Sequence, residues 1–541
     1  MPASQARVPT DRASRYLTHL CKHSGQMSAL ALDGHGHGDG GAASMPRHAE
    51  WSDTDGVIDF GWGRCTLHAT GEGLVLHAEA DDHQQLRRIQ DAIAVRLERI
   101  GRRDRLTVTW RQTPPEAGSV ESAGEHKSAA AIIEALLTLA GRADPFPLYA
   151  TAHQIGPVSA ITDSSFLVCG YAAVNQVLRD PRFGPPDTSP RRPEEADPAG
   201  RDALRSMNRS ILRANPPDHG RMRSLIAQVF TPRRVASLQP AIEDAVDNLL
   251  HQLAETGADG RTVDFMDQFA FPLPVTVICE LLGVPQPDRH RFRPLAADLT
   301  EALELSAGTS GPGPADAAAR ELAGYLTHLI GERRTAPGDD LVSALVAARD
   351  TGDGRLSDQE LLANLILLLV AGFETTTNLL GIGLAILLDR PDLRAALHTE
   401  QISISGFIEE VLRYDSPVQV TTRQAHAENL TVEGVPVPQG SEVILLIGAA
   451  NRDPARYRDP DHFDPTRTDI KPLSFGAGSH ICIGDSLARL EAATAFLRLL
   501  TRFPALSAAP DQQPTRRDRL VLRGYQTLPV HVTSSQVTAR R

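Results

Sequence analysis

The residues of this chain with the most chemical content lie in one short run, Phe475-Gly476-Ala477-Gly478-Ser479-His480-Ile481-Cys482-Ile483-Gly484. Cys482 is the only thiol in the run, and no CxxC or HxxxH partner accompanies it, which removes a zinc site. A dinucleotide-binding loop would need a third glycine at position 481, where Ile481 stands. A lone thiolate framed by glycines suits a metal held from one side. Haem iron is such a metal, because the porphyrin fills the plane and the protein adds an axial sulfur. The glycines would let the backbone pass close to the ring and turn N–H groups toward the sulfur. The other cysteines, Cys21, Cys65, Cys169 and Cys279, read as packing residues.

A second run, Ala371-Gly372-Phe373-Glu374-Thr375-Thr376, interrupts a long apolar stretch. A glycine inside a helix costs about 1 kcal/mol relative to alanine, and a buried acid costs more. In one reading Thr375 bonds back to an upstream carbonyl and Glu374 finds a buried partner. In the other, Gly372 thins the helix so that dioxygen and substrate lie against it, and Glu374 and Thr375 deliver protons. Phe373 would then narrow the substrate pocket. A third run, Glu410-Val-Leu-Arg413, has the i, i+3 spacing that lets an acid and a guanidinium meet on a helix.

Together and in this order, the runs resemble the cytochrome P450 haem-thiolate monooxygenases of the soluble bacterial class. The Cys482 loop matches Phe-Gly-x-Gly-x-His-x-Cys-x-Gly at every fixed position, Phe475, Gly476, Gly478, His480, Cys482 and Gly484. Ala371 to Thr375 matches Ala-Gly-x-(Asp/Glu)-Thr, and Glu410 with Arg413 matches the pair beneath the haem. The resemblance implies haem b with Cys482 as axial ligand, Glu374 and Thr375 as catalytic residues, and a core fixed by Glu410 and Arg413. It also implies propionate contacts from His219 and Arg223 in Asn215-Pro-Pro-Asp-His-Gly-Arg-Met-Arg223, from Arg423, and from His480. The chain departs from the family where a Pro-x-Arg-Phe phrase often supplies a third partner to the Glu-Arg pair. Here it reads Pro460-Asp-His462-Phe463, which leaves that partner open.

These groups need a large helical scaffold. Leucine-rich helices are expected at roughly 236–255, 315–333, 340–349, 358–390 and 485–502, with an early helix over Tyr171 to Asp180. Leu361 to Leu388 is long enough to span a membrane, but Asn364, Glu374, Thr375 to Thr377 and Asn378 would be costly in lipid, so it reads as a core helix. The expected fold is mainly α with small β-sheets over residues 129–541, the P450 fold, with 112–128 as linker. Pocket walls are expected from the loop between Gly184 and Arg213, from Arg289 to Ser310, from Leu368 to Gly372 and from Val418 to Thr422.

Residues 7–111 read as a separate small α+β domain: a helix over 14–23, short strands at 56–60, 65–69 and 74–80, a helix over 81–99 and a strand over 105–110. The phrase Phe60-Gly-Trp-Gly-Arg-Cys65 resembles a small bacterial domain of unknown function. The glycine-rich loop after residue 33 carries His35 and His37, which with His48 read as solvated residues rather than metal ligands.

The formal charge of −12 argues against nucleic acid as a partner. An odd count of five cysteines and an N-terminus without an apolar h-region point to a reducing, cytoplasmic setting. No GxGxxG fingerprint is present, so electrons should come from a separate ferredoxin and ferredoxin reductase. The expected function is insertion of one oxygen atom from O2 into a small-to-medium organic substrate, with a natural product implied by the resemblance. The alternatives are a peroxygenase drawing on H2O2, which has less need of the Glu374–Thr375 pair, and a non-catalytic haem-binding sensor.

Overall fold

The computed structural model describes residues 3–10, 12–32, 48–52, 54–60, 63–70, 73–80, 83–100, 106, 108, 110–112, 128–186, 207–300, 304, 313–351 and 356–532. His35, His37, the side chain of His48, the polar stretch Thr113 to Gly124 and much of the loop after Gly184 lie outside the described residues. The chain divides into two compact units, Met1–Glu121 and Ser122–Arg541.

The first unit is a six-stranded antiparallel sheet with two helices. In chain order it runs β1 (Ala3–Pro9), α1 (Ala13–Leu32), β2 (His48–Trp51), β3 (Asp55–Asp59), β4 (Gly63–Thr70), β5 (Gly73–Ala80), α2 (His83–Ile100) and β6 (Trp110–Gln112). The spatial order is β2-β3-β4-β5-β1-β6. Period-two alternation in β5 turns Leu74, Leu76, Ala78 and Ala80 inward, where Leu86, Ile89, Ile93 and Leu97 of α2 and Leu17 and Leu20 of α1 cover them. The sequence gives no sign of β1, because Ala3-Ser-Gln-Ala-Arg-Val-Pro holds Val8 as its only β-branched residue. Its place is decided by pairing with β5 on one side and β6 on the other. Gln90 on α2 donates to the buried Ser4 Oγ at 2.7 Å and accepts at its carbonyl from Trp110 Nε1 at 3.2 Å, which ties helix to sheet.

The second unit is mainly helical. Helices Tyr171–Arg179, Gln239–Thr256, Pro314–Thr335, Leu341–Thr351 and Asp485–Arg502 stand where the leucine periodicity places them. The central element is the helix Asp358–Asp389. Ser357 caps it: its Oγ accepts from Glu360 N at 3.2 Å, and Ser357 N donates to Glu360 Oε2 at 2.7 Å. Pro391 follows its C-terminus, where a helix of this hydrogen-bond register cannot continue.

This helix is long and apolar enough to cross a membrane by length and composition, but it is mostly buried within the protein. Asn364 Oδ1 accepts from Ile211 N at 2.9 Å and Thr377 Oγ1 donates to Ala270 O at 3.1 Å, so these polar interruptions have internal partners. In its middle, burial lapses only at Ala371, Gly372 and Thr375. A mixed five-stranded sheet, ordered Val158–Thr162, Ser165–Val168, Glu442–Leu446, Val420–Ala425 and Phe183–Gly184, brings the Arg423 segment beside that helix.

Candidate haem and substrate site

Two adjoining cavities meet on the exposed strip of the central helix. One, of about 300 Å³, is walled by Cys482, Phe475, Gly476, His480, Gly484, His219, Arg223 and Arg423, with Ala371, Gly372 and Thr375 opposite. The other, of about 230 Å³, shares Leu367, Ala371, Thr375, Val418 and Arg423 and adds Val370, Glu374, Val420 and Leu522.

The Cys482 loop is shaped by its glycines. Gly476 and Gly478 have φ of 70° and 71°, a region other residues adopt only with strain. A Cβ at Gly478 would also come within 2.3 Å of Leu178 O, so the loop can lie on the helix Tyr171–Arg179 only without a side chain there. Gly478→Ala is therefore expected to cost about 1–3 kcal/mol and to lower haem occupancy, read from the thermal midpoint and from haem per chain. Cys482 N donates to Phe475 O at 2.8 Å and closes the loop.

Cys482 is exposed, and it lines the cavity. Burial of the sulfur pushes its thiol up, while the Gly484 N–H and the charges of Arg223 and Arg489 favour the thiolate. Gly484 also begins the helix Asp485–Arg502, whose N-terminal dipole favours negative charge. The other cysteines are buried, and desolvation pushes Cys21, Cys169 and Cys279 up to about 12, as expected of packing residues. No cluster of three or more His, Cys, Asp or Glu suited to a metal occurs among the described residues.

Four cationic or hydrogen-bonding side chains converge on the larger cavity. The His219 and His480 rings lie 3.9 Å apart at 35°, and the buried His219 Nε2 has no hydrogen-bond partner. Desolvation, reinforced by His219, Arg423 and Arg223, pushes His480 down to about 3. Burial and the charge of Arg213 push Arg423 down to about 10. The carboxyl on this wall is Glu491, whose pKa burial pushes well up, favouring its neutral form. An orphaned histidine nitrogen and a positive cluster fit the propionates of haem, with Cys482 in the same cavity to take its iron.

On the central helix, Thr375 Oγ1 donates to Ala371 O at 2.9 Å. Glu374 is 1% exposed; Arg517 pairs with its Oε1, Arg519 lies 3.5 Å from the same oxygen, and Oε2 is unpaired. Both contacts of the structural reading are thus present, yet Thr375 and Glu374 still reach the cavities. Phe373 does not narrow the pocket: it is fully buried and packs on Phe271 with centroids 6.0 Å apart, on the helix face turned to the core. Gly372 lines the larger cavity, but a Cβ there would also meet Ile278 Cδ1 at 3.2 Å, so the glycine serves helix packing as well.

Beneath the Cys482 loop, Arg413 and Glu410 form a fully buried bidentate pair with both contacts at 2.7 Å. The remaining Arg413 donors reach Asn451 O, Pro460 O and His462 O. The third partner left open by the sequence is Arg467, whose Nε is 3.3 Å from Glu410 Oε1. Its guanidinium also holds the carbonyls of Arg458, Asp459 and His462, so the segment after Pro460 wraps onto the pair through backbone rather than through His462 itself. Arg467, Arg517, Arg519, Val521 and Leu522 carry no local pattern; Arg467 arrives through the segment after Pro460 and the others through the fold of the C-terminal segment.

The family profile "Cytochrome P450" matches residues 315–529, and the profile "Uncharacterized protein conserved in bacteria (DUF2218)" matches residues 5–111. PikC, a cytochrome P450 monooxygenase of Streptomyces venezuelae, is 39% identical over 408 residues, 74% of this chain and 94% of that protein. The 6-deoxyerythronolide B hydroxylase of Saccharopolyspora erythraea is 39% identical over 399 residues, 72% of this chain and 96% of its own length. Among solved structures, P450BioI in complex with hexadec-9Z-enoic acid ligated acyl carrier protein aligns with a TM-score of 0.66 and 34% identity, over 72% of this chain and 99% of that one. With the thiolate loop, the cationic cradle and the buried Glu-Arg pair in place, this chain belongs to the cytochrome P450 family of haem-thiolate monooxygenases, fused to a bacterial domain of unknown function.

Proposed function

We propose that this protein inserts one oxygen atom from O2 into a small-to-medium, largely apolar natural-product molecule, using electrons from a separate ferredoxin and its reductase in the cytoplasm. The observation that carries the reading is the apolar chamber that opens onto Ala371 and Thr375 and continues into the Cys482 cavity. Haem, when bound, would supply the redox and oxygen-activating chemistry, tuned by a cysteine thiolate. Cys482 would donate that thiolate, and His219, Arg223, Arg423 and His480 would hold the propionates. The apolar wall of Leu367, Val370, Val418 and Val420 excludes water and orients the substrate.

Proton supply falls to the central helix. Thr375 presents its hydroxyl at the junction of the two cavities and can hold a proton-carrying water there. Glu374 uses Oε1 for Arg517 and Arg519, which leaves Oε2 to take a proton and pass it on. The relay therefore runs through a carboxylate held away from solvent, and Arg517 sets its orientation. Thr375→Ala is expected to leave haem binding and reduction intact while sending electrons into peroxide. Glu374→Gln should slow product formation on the order of 10²-fold with an altered solvent isotope effect. Product per electron and peroxide per NAD(P)H measure both; unchanged coupling in the two variants would remove the relay and return the peroxygenase reading. A sensor is separated from an enzyme by product formation itself.

The first unit is proposed to be an accessory domain that folds separately, with residues 112–128 as linker. Its sheet and helices close a core of their own, and the thiolate loop, propionate cradle and chamber draw all their residues from the second unit. A chain starting near Glu125 should bind haem and give the thiolate spectrum; an apo or aggregated product would make the first unit part of the enzyme core.

A further inference from the structure

The smaller cavity carries a charge that the proposed oxygen chemistry does not use. Arg213 stands on its wall among Leu212, Leu367, Val370, Val418 and Leu522. Its guanidinium has no hydrogen bond or ion pair among the described residues. The other acid and bases near it are engaged. Glu374 is neutralised by Arg517 and Arg519, Glu304 spends both oxygens on the backbone N–H groups of Leu520, Val521 and Leu522, and Arg423 donates to Thr422 O at 2.8 Å.

The position of Arg213 is fixed. Ile211 N donates to Asn364 Oδ1 at 2.9 Å, and the N–H groups of Arg213 and Ala214 both donate to Ser210 O at 3.1 Å, so the turn is pinned to the central helix. Arg213 lines the smaller cavity and is absent from the wall of the Cys482 cavity, where His219, Arg223, Arg423 and His480 gather. An unpaired, desolvated guanidinium is costly unless an anion meets it, and its planar fork matches a carboxylate best. Burial lowers its proton affinity, in keeping with a charge held without a partner.

We infer that Arg213 is a substrate-recognition residue and that the natural substrate presents a carboxylate to it while its apolar body lies along Ala371 and Thr375. This rests on the monooxygenase reading and adds the chemical class of the substrate.

The test is optical titration of the full-length holoenzyme, following the haem spin-state shift, with dodecanoic acid and with its neutral isostere dodecanamide. Wild type should bind the acid about tenfold or more tightly than the amide. Arg213→Gln should lose that preference by weakening the acid alone, and Arg213→Lys should restore part of it. Equal affinity for acid and amide, no shift with the acid, or a preference that survives Arg213→Gln overturns the inference. Loss of haem from Arg213→Gln overturns it too, because the guanidinium would then serve a propionate. Failure of the monooxygenase reading looks different: the wild-type ferrous–CO spectrum would lack the thiolate signature before any ligand is added.

Discussion

Replacing Cys482 with serine is expected to abolish the red-shifted Soret band of the ferrous–CO complex and all monooxygenase turnover. The shift depends on a strongly donating sulfur opposite CO, and serine oxygen is a poor ligand for this role. The structure offers no substitute. Cys21, Cys65, Cys169 and Cys279 are buried away from this cavity with thiols pushed up by desolvation, so none can replace the thiolate. The cluster of His219, Arg223, Arg423 and His480 proposed to hold the propionates is untouched by the change, so some haem should still associate, with an unshifted spectrum. Absorption of the dithionite-reduced, CO-treated variant measures this. A Cys482→Ser protein that keeps the red-shifted band would place the axial ligand elsewhere.

The second large effect is expected from Glu410→Ala. It leaves the Arg413 guanidinium at 0% exposure with its carboxylate gone, and removing one partner of a buried pair costs about 3–5 kcal/mol. Native stability is itself only about 5–15 kcal/mol. The variant should therefore express poorly or unfold many degrees below wild type, and its Cys482 loop should hold haem weakly. Asn451 links the two: its carbonyl takes Arg413, its Oδ1 accepts from Leu473 N at 2.7 Å and its Nδ2 donates to Ser474 at 3.0 Å, at the start of the loop. Arg467→Gln should be milder, because its contact with Glu410 is longer and most of its donors serve exposed backbone. Thermal unfolding followed by circular dichroism and by the Soret band tests the pair. A Glu410→Ala midpoint close to wild type would show that the buried pair does not secure this core.

What the sequence determined was local. A thiolate loop is legible because its glycines, histidine and cysteine must sit at fixed offsets on one turn of backbone, and their identities do not depend on distant partners. Leucine periodicity likewise marks the helices, since each presents one face to a core whatever lies opposite. The same reasoning recovers Glu410 with Arg413, an i, i+3 pair on one helix. It overlooks β1, whose weak strand composition is overridden by neighbours on both sides. It misdirects Phe373, because a motif gives its position on the helix but not which face packs against Phe271.

Tertiary structure decided everything that depends on distance in the chain. Arg467 becomes the third partner of Glu410, Arg517 and Arg519 neutralise Glu374, and Glu304 holds the backbone of the segment that carries Leu522 into the chamber. None of these pairings has a sequence spacing, since they depend on how the segment after Pro460 wraps onto Glu410 and where the C-terminal segment folds back over the central helix. The unpaired Arg213 is of the same kind, whereas the resemblance already marked His219, Arg223, Arg423 and His480 and the fold brought them together. Charges scattered over some 270 residues, from Arg213 to His480, acquire meaning only when burial removes water around them and leaves an anion as the remaining partner.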